Sequence, residues 1–149
     1  MNTRRLKGMS YVEVMLALFL MTASIAIVAS TMPLSTIARG KADLYNKAQN
    51  LAQKELERVR ALGYPNATAT QLLTNGLIDS TTPTSGTTYS WTNVDAGASH
   101  SPALVLPSGT GQIALEQVDT DLRRITVTVT YSDRGKTLTY STGTLVANL

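Results

Sequence analysis

Lys7-Gly8-Met9-Ser10-Tyr11-Val12-Glu13-Val14-Met15-Leu16-Ala17-Leu18 opens the stretch on which the fold turns. After Glu13 no charged residue appears from Val14 to Ala38. At 1.5 Å of rise per residue, such a run reaches roughly 37 Å as a helix, more than the roughly 30 Å hydrocarbon core of a bilayer. Its most apolar part is Val14 to Ala29, and Ser30, Thr31, Pro33 and Ser35 dilute the rest. Arg4, Arg5 and Lys7 stand before that most apolar part, and no cation follows its end at Ala29 until Arg39. That asymmetry predicts a cytoplasmic N-terminus and an extracytoplasmic remainder.

The same three cations explain the charge of the whole chain. The 149 residues carry 13 Lys+Arg and 10 Asp+Glu, with a pI near 9.3. Without Arg4, Arg5 and Lys7 the two signs balance at ten each. A cationic stripe able to neutralise several phosphates is therefore not expected, and nucleic acid is set aside as a partner. Cysteine is absent, which excludes disulfides, thiolate metal sites and a catalytic thiol. The length suits one compact domain behind the apolar run.

A cleaved secretory signal is the competing reading, with Val28-Ala29-Ser30 or Ser24-Ile25-Ala26 as the cleavage site. Glu13 speaks against it. An acid at the mouth of an apolar helix costs about 1 to 3 kcal/mol depending on depth, and an ordinary signal gains nothing from it. Cleavage after Gly8 would place a new ammonium at Met9, one helical turn from Glu13, and the same pair could form between subunits.

On these residues, from Lys7 to Leu18, the chain resembles the type IV prepilins and type II secretion pseudopilins with their class III signal. The resemblance implies a prepilin peptidase that cuts after Gly8 and methylates Met9, Arg4, Arg5 and Lys7 as leader charge, and Glu13 as the assembly residue. It further implies an inner-membrane subunit with its globular part outside, drawn by an assembly platform into a pilus or pseudopilus with other major or minor subunits. Met9 stands where phenylalanine is commonest in the family, and Pro33 lies a few residues later than the usual helix proline.

From Lys41 to Leu62 the pattern is amphipathic: Leu44, Ala48, Leu51, Ala52, Leu56, Val59 and Leu62 share one helical arc. Glu55 falls inside that arc, read either as an edge residue reaching Arg58 or as half of a buried or inter-subunit pair with a cation such as Arg123. Gly63 and Pro65 stop the helix. One long helix, weakened at Pro33 and Gly40, is expected. Residues 64–112 are rich in proline, glycine, serine and threonine and read as loops, with a turn or two of helix between Ala69 and Leu77 and a strand over Thr87 to Thr92. Trp91 and Tyr89 would share a face, as core or as a ligand platform.

Ile125-Thr126-Val127-Thr128-Val129-Thr130-Tyr131 has a strict period of two, the mark of a strand with one buried and one wet face. Ser132-Asp133-Arg134-Gly135 supplies a turn, and Lys136 to Ser141 alternates again as the second arm of a hairpin. Gly143 shifts the phase before Thr144-Leu145-Val146-Ala147, read as a bulge or a final strand.

The expected fold is thus α+β and pilin-like, a long N-terminal helix packed on a small antiparallel sheet. Its parts are a leader at 1–8, an apolar helix at 9–38 and a globular domain at 39–149, with the amphipathic helix at 41–62 and the sheet at 113–147. The helix motif Asn50-Leu51-Ala52-Gln53 with Leu56-Glu57, together with the strand from Leu122 to Tyr131, is similar to minor pilin V and pseudopilin I, which implies a scarce subunit near the filament tip.

Little else suggests chemistry. His100 is the sole histidine and reads as a loop residue. Glu116, Asp119 and Asp121 form one carboxylate cluster, read as a solvated turn rather than a calcium loop. Asn66-Ala67-Thr68 matches the glycosylation sequon. No catalytic, metal or cofactor residue is expected, and the chain reads as a structural subunit. The alternative is a singly anchored extracytoplasmic module that binds sugar or DNA.

Overall fold

The computed structural model describes residues 10–94 and 100–148, apart from the side chain of Leu34. The chain divides into two compact units at Gly40. Helix α1 runs from Tyr11 to Ala61, 51 residues. It is followed by α2 (Gly63–Asn66), α3 (Ala69–Thr74), β1 (Thr88–Ser90), α4 (Pro102–Val105), β2 (Thr110–Asp119), β3 (Leu122–Asp133) and β4 (Lys136–Ala147). A long N-terminal apolar helix and a four-stranded antiparallel sheet make the layout α+β.

In the first unit α1 continues through Pro33. A proline has no N–H to close the turn, yet hydroxyls occupy neighbouring acceptors. Thr31 Oγ1 donates to the Val28 carbonyl at 3.0 Å, and Thr36 Oγ1 to that of Met32 at 2.9 Å. Thr22, Ser24 and Ser30 do likewise toward Phe19, Leu20 and Ile27. Each hydroxyl thereby meets its own hydrogen-bonding need inside the helix, which lowers the cost of holding it in an apolar medium.

In the second unit the helix begins at Lys41, and its arc is buried as the spacing requires: Ala48, Ala52 and Val59 are fully covered, and Leu51 and Leu56 nearly so. They join one core with Ile113, Leu115, Ile125, Val127, Val129 and Tyr131 from the sheet. Tyr45 of the helix meets Tyr140 of β4 edge-on, ring centroids 5.6 Å apart. The helix ends where Gly63 takes φ 73°, a left-handed conformation that glycine adopts without a Cβ penalty.

The strands follow sequence order, β1-β2-β3-β4. Arg134 and Gly135, both at positive φ, form a two-residue turn that sets Asp133 opposite Lys136 and fixes the whole β3–β4 register. The wet face carries hydroxyls across the strands: Thr128 with Ser141 at 3.1 Å and Thr130 with Thr139 at 3.3 Å. β4 is a single strand without a register shift at Gly143, which pairs with Thr126. The one irregularity lies in β2, between Gln117 and Asp119. The strand read over Thr87 to Thr92 is present as β1 and heads the sheet, and β2 begins at Thr110, ahead of the expected start at 113. Gly111 occupies a core position of β2 because a Cβ there would collide with the Trp91 ring, so no apolar side chain marks that strand's beginning.

Candidate functional site: the apolar helix and Glu13

Ser10 begins the described chain, and its carbonyl accepts from the N–H of Glu13 at 2.9 Å and of Val14 at 3.2 Å. Glu13 therefore stands in the first turn of α1. There the unpaired N–H groups and the helix dipole favour a negative charge, typically by about 0.3 to 1 kcal/mol. Beyond it the apolar side chains are open: Met15, Leu16, Leu18, Phe19, Leu20, Met21, Ile25, Ile27 and Val28 are all exposed. α1 is long and apolar enough to cross a membrane. An exposed apolar surface on this scale needs a cover of lipid or of other apolar helices. Gly8, Met9, Arg4, Arg5 and Lys7, the residues read as the cleavage site and leader charge, lie outside the described residues.

The other singled-out residues fall into the second unit. Trp91 is fully buried, and its Nε1 finds no acceptor among the described residues. It is core and offers no surface to a ligand. Glu55 is 3 % exposed and accepts from Arg58 Nη1 at 3.2 Å. Arg123 is engaged elsewhere: its guanidinium lies 4.9 Å from the centre of the Tyr64 ring, Nη1 donates to the Ala67 carbonyl, and Nε and Nη2 donate to Gln117 Oε1 at 3.3 and 3.2 Å. Tyr64 in turn donates to the Thr120 carbonyl at 2.6 Å and accepts from Gln117 Nε2 at 2.7 Å. This network ties the segment after the helix to the β2–β3 turn. The pairing of Glu55 with Arg123 that the sequence allowed is not made.

The three acidic residues of the cluster part company. Glu116 pairs with Arg124 directly across the strands at 3.0 Å. Asp119 accepts from the Thr120 N–H at 2.7 Å, and Asp121 from Asn148 Nδ2 at 3.2 Å. Among the described residues no three His, Cys, Asp or Glu side chains converge as a metal site would need. His100 touches Lys54 through Nε2. Asn66 is exposed at the end of α2, and its amide donates to the Leu62 carbonyl at 3.2 Å.

Asp79 is a residue that sequence reasoning passed over. Its carboxylate accepts from Ser90 Oγ at 2.6 Å, Thr92 N at 2.7 Å and Asn93 N at 2.9 Å, while its own N–H donates to the Ser90 carbonyl at 2.7 Å. With Thr84 N donating to the Thr88 carbonyl at 2.7 Å, the segment from Asp79 to Thr84 closes the outer edge of β1. No periodicity announces such a clip, since it consists of one carboxylate aimed at backbone N–H groups.

Comparison with models of known protein families, with curated proteins and with solved structures returns no match for this chain.

Proposed function

We propose that the chain is a pilin-like filament subunit, a structural protein rather than an enzyme, that polymerises through α1. The observation that carries the reading is the conjunction of Glu13 in the first helical turn with the uncovered apolar surface that follows it. In this reading the helix rests in the inner membrane with the second unit outside, and then exchanges lipid for the helices of neighbouring subunits. Apolar contacts are kept in the exchange, and Glu13 gains the ammonium of a neighbour's Met9. The resemblance to minor pilin V and pseudopilin I adds a place near the tip of a type IV pilus or secretion pseudopilus, with prepilin peptidase and the assembly platform as partners. Burial of Trp91 and the closed hydrogen bonding of Arg123 count against the anchored sugar- or DNA-binding module, which would need such groups at the surface.

Intact-mass measurement of the protein extracted from membranes tests this. The expected product lacks residues 1–8 and carries one methyl group on the amine of Met9. A mature chain beginning at Ser30 or Thr31 would make it a secreted protein and overturn the reading.

A further inference from the structure

The two edges of the sheet are treated oppositely. At β1 the outer edge is closed by the Asp79–Thr84 segment. At β4 no backbone hydrogen bond to the outer edge is made among the described residues. Natural sheets blunt an edge of that kind with a short strand, a bulge, a proline or an inward charge. β4 has none of these. It is 12 residues long, runs without a register shift, and between Thr137 and Ala147 holds neither a charged residue nor a proline.

The direction of the free groups follows from the turn. Asp133 and Lys136 flank the two-residue turn and exchange both hydrogen bonds, so alternate residues from Lys136 onward bond to β3. Thr137, Thr139, Ser141, Gly143 and Leu145 accordingly turn their N–H and C=O groups away from the sheet. All five are exposed.

We propose that the β4 edge is an interface that takes a second copy of this chain, β4 against β4 in antiparallel pairing about a two-fold axis, giving a continuous eight-stranded sheet. The occupant is argued from charge and symmetry. An uncharged strand meets no repulsion from its own copy, and antiparallel self-pairing is isologous and closes as a dimer. Lys136, the only charge on the strand, is sent to the far ends, opposite an uncharged Val146 or Asn148 of the second copy. Greatest overlap of the two strands, with outward groups opposite outward groups, places the axis at Ser141 or Thr142. The groove beside Thr142, about 460 Å³ and lined by Asn50, Gln53, Lys54, Leu56 and Glu57, leaves room for the partner's side chains at that point, with a cation and an anion of each copy on its helix side. This contact is separate from any packing of the apolar helices, so it stands or falls apart from the proposed function.

The chain has no cysteine, so single cysteines report contacts in the full-length protein in detergent micelles. On oxidation, Ser141→Cys or Thr142→Cys should give disulfide-linked dimer at least tenfold above Thr137→Cys and Leu145→Cys, whose copies lie at opposite ends. Gln112→Cys, on the wet face of an inner strand, sets the level of random collision. Adding Thr139→Pro to the linking variant should lower the yield at least tenfold with the monomer's circular dichroism unchanged. That substitution removes an outward N–H and no bond to β3. Equal linking at every β4 position, linking no higher than at Gln112→Cys, or a yield indifferent to Thr139→Pro in a folded protein would each overturn the proposal.

Discussion

Arg58 Nη1 lies 3.2 Å from Glu55 Oε2, one turn along α1, and the two ends of this pair stand in different media: the Glu55 side chain is 3 % exposed and that of Arg58 33 %. The carboxylate has left water for the apolar arc of the helix, and the guanidinium reaches it from the margin. Removing the partly solvated Arg58 takes a cation away from a buried carboxylate, whereas replacing the carboxylate with an apolar group of similar size removes the need for one. Arg58→Ala is therefore expected to cost about 1 to 3 kcal/mol, discounted for the exposure of Arg58. Glu55→Met should be neutral or stabilising. Chemical denaturation of both variants checks the order, and equal losses would contradict it.

Tyr131 gives the second unit an alkaline limit. Burial, then the charge of Asp133 and the neighbouring Tyr45, raise its hydroxyl pKa above the ordinary 10.0. The folded state thus holds this proton more tightly than the unfolded chain. The contribution to stability is whole below pH 10, where both states are protonated, and is lost as pH rises from there through the folded-state value. Thermal melts between pH 8 and 11 should show a decline in the wild type that is shallower in Tyr131→Phe; identical slopes would refute the assignment.

Gly111 and Trp91 form a contact that admits no Cβ. Gly111→Ala should force the indole or β2 to shift and cost about 1 to 3 kcal/mol, the usual penalty for overpacking a core. Gly143→Ala meets milder crowding, with Ile125 O at 3.0 Å, and should lose less. Comparing the two melts is sufficient.

On the proposed function, Glu13→Leu separates processing from assembly. The change makes the segment more apolar and leaves Gly8 and the leader cations as they are, so membrane level and cleavage should hold. Cross-linking of the processed protein to neighbouring subunits should fall by a factor of about 100 or more, the equivalent of about 3 kcal/mol in an association constant. Wild-type incorporation of the mutant into filaments would remove Glu13 from the mechanism.

Where one residue type repeats at a fixed period, the sequence was readable. The arc from Leu44 to Val59 and the alternation from Ile125 to Tyr131 both lie in the core as their spacing requires. Where a core position is held by the absence of a side chain, as at Gly111, alternation is hidden and β2 begins unseen. Partners chosen by tertiary contact were hidden too. Arg123 stacks on Tyr64 and binds the Ala67 carbonyl because α2 brings those groups beside the β2–β3 turn, which nothing local in Leu122-Arg123-Arg124 encodes. Pro33 was legible in the same way: a run of apolar residues on both sides outweighs one helix breaker, and the expected long helix carries it within α1.

The Arg134–Gly135 turn has a bearing on the order of events during synthesis. A ribosome delivers the helix first, with Ala48, Leu51, Ala52 and Val59 ready for a surface that β3 and β4 supply only after residues 122–147 have emerged. Those two strands pair through neighbours in the chain, and closing a hairpin around so short a turn takes on the order of microseconds. The latest-made part of the unit thus closes through local pairing alone, and it supplies the surface on which the earliest-made part settles. Until then the amphipathic stretch waits as an unfinished half of a core, the interval in which a chaperone or the bilayer surface has its opportunity to hold it.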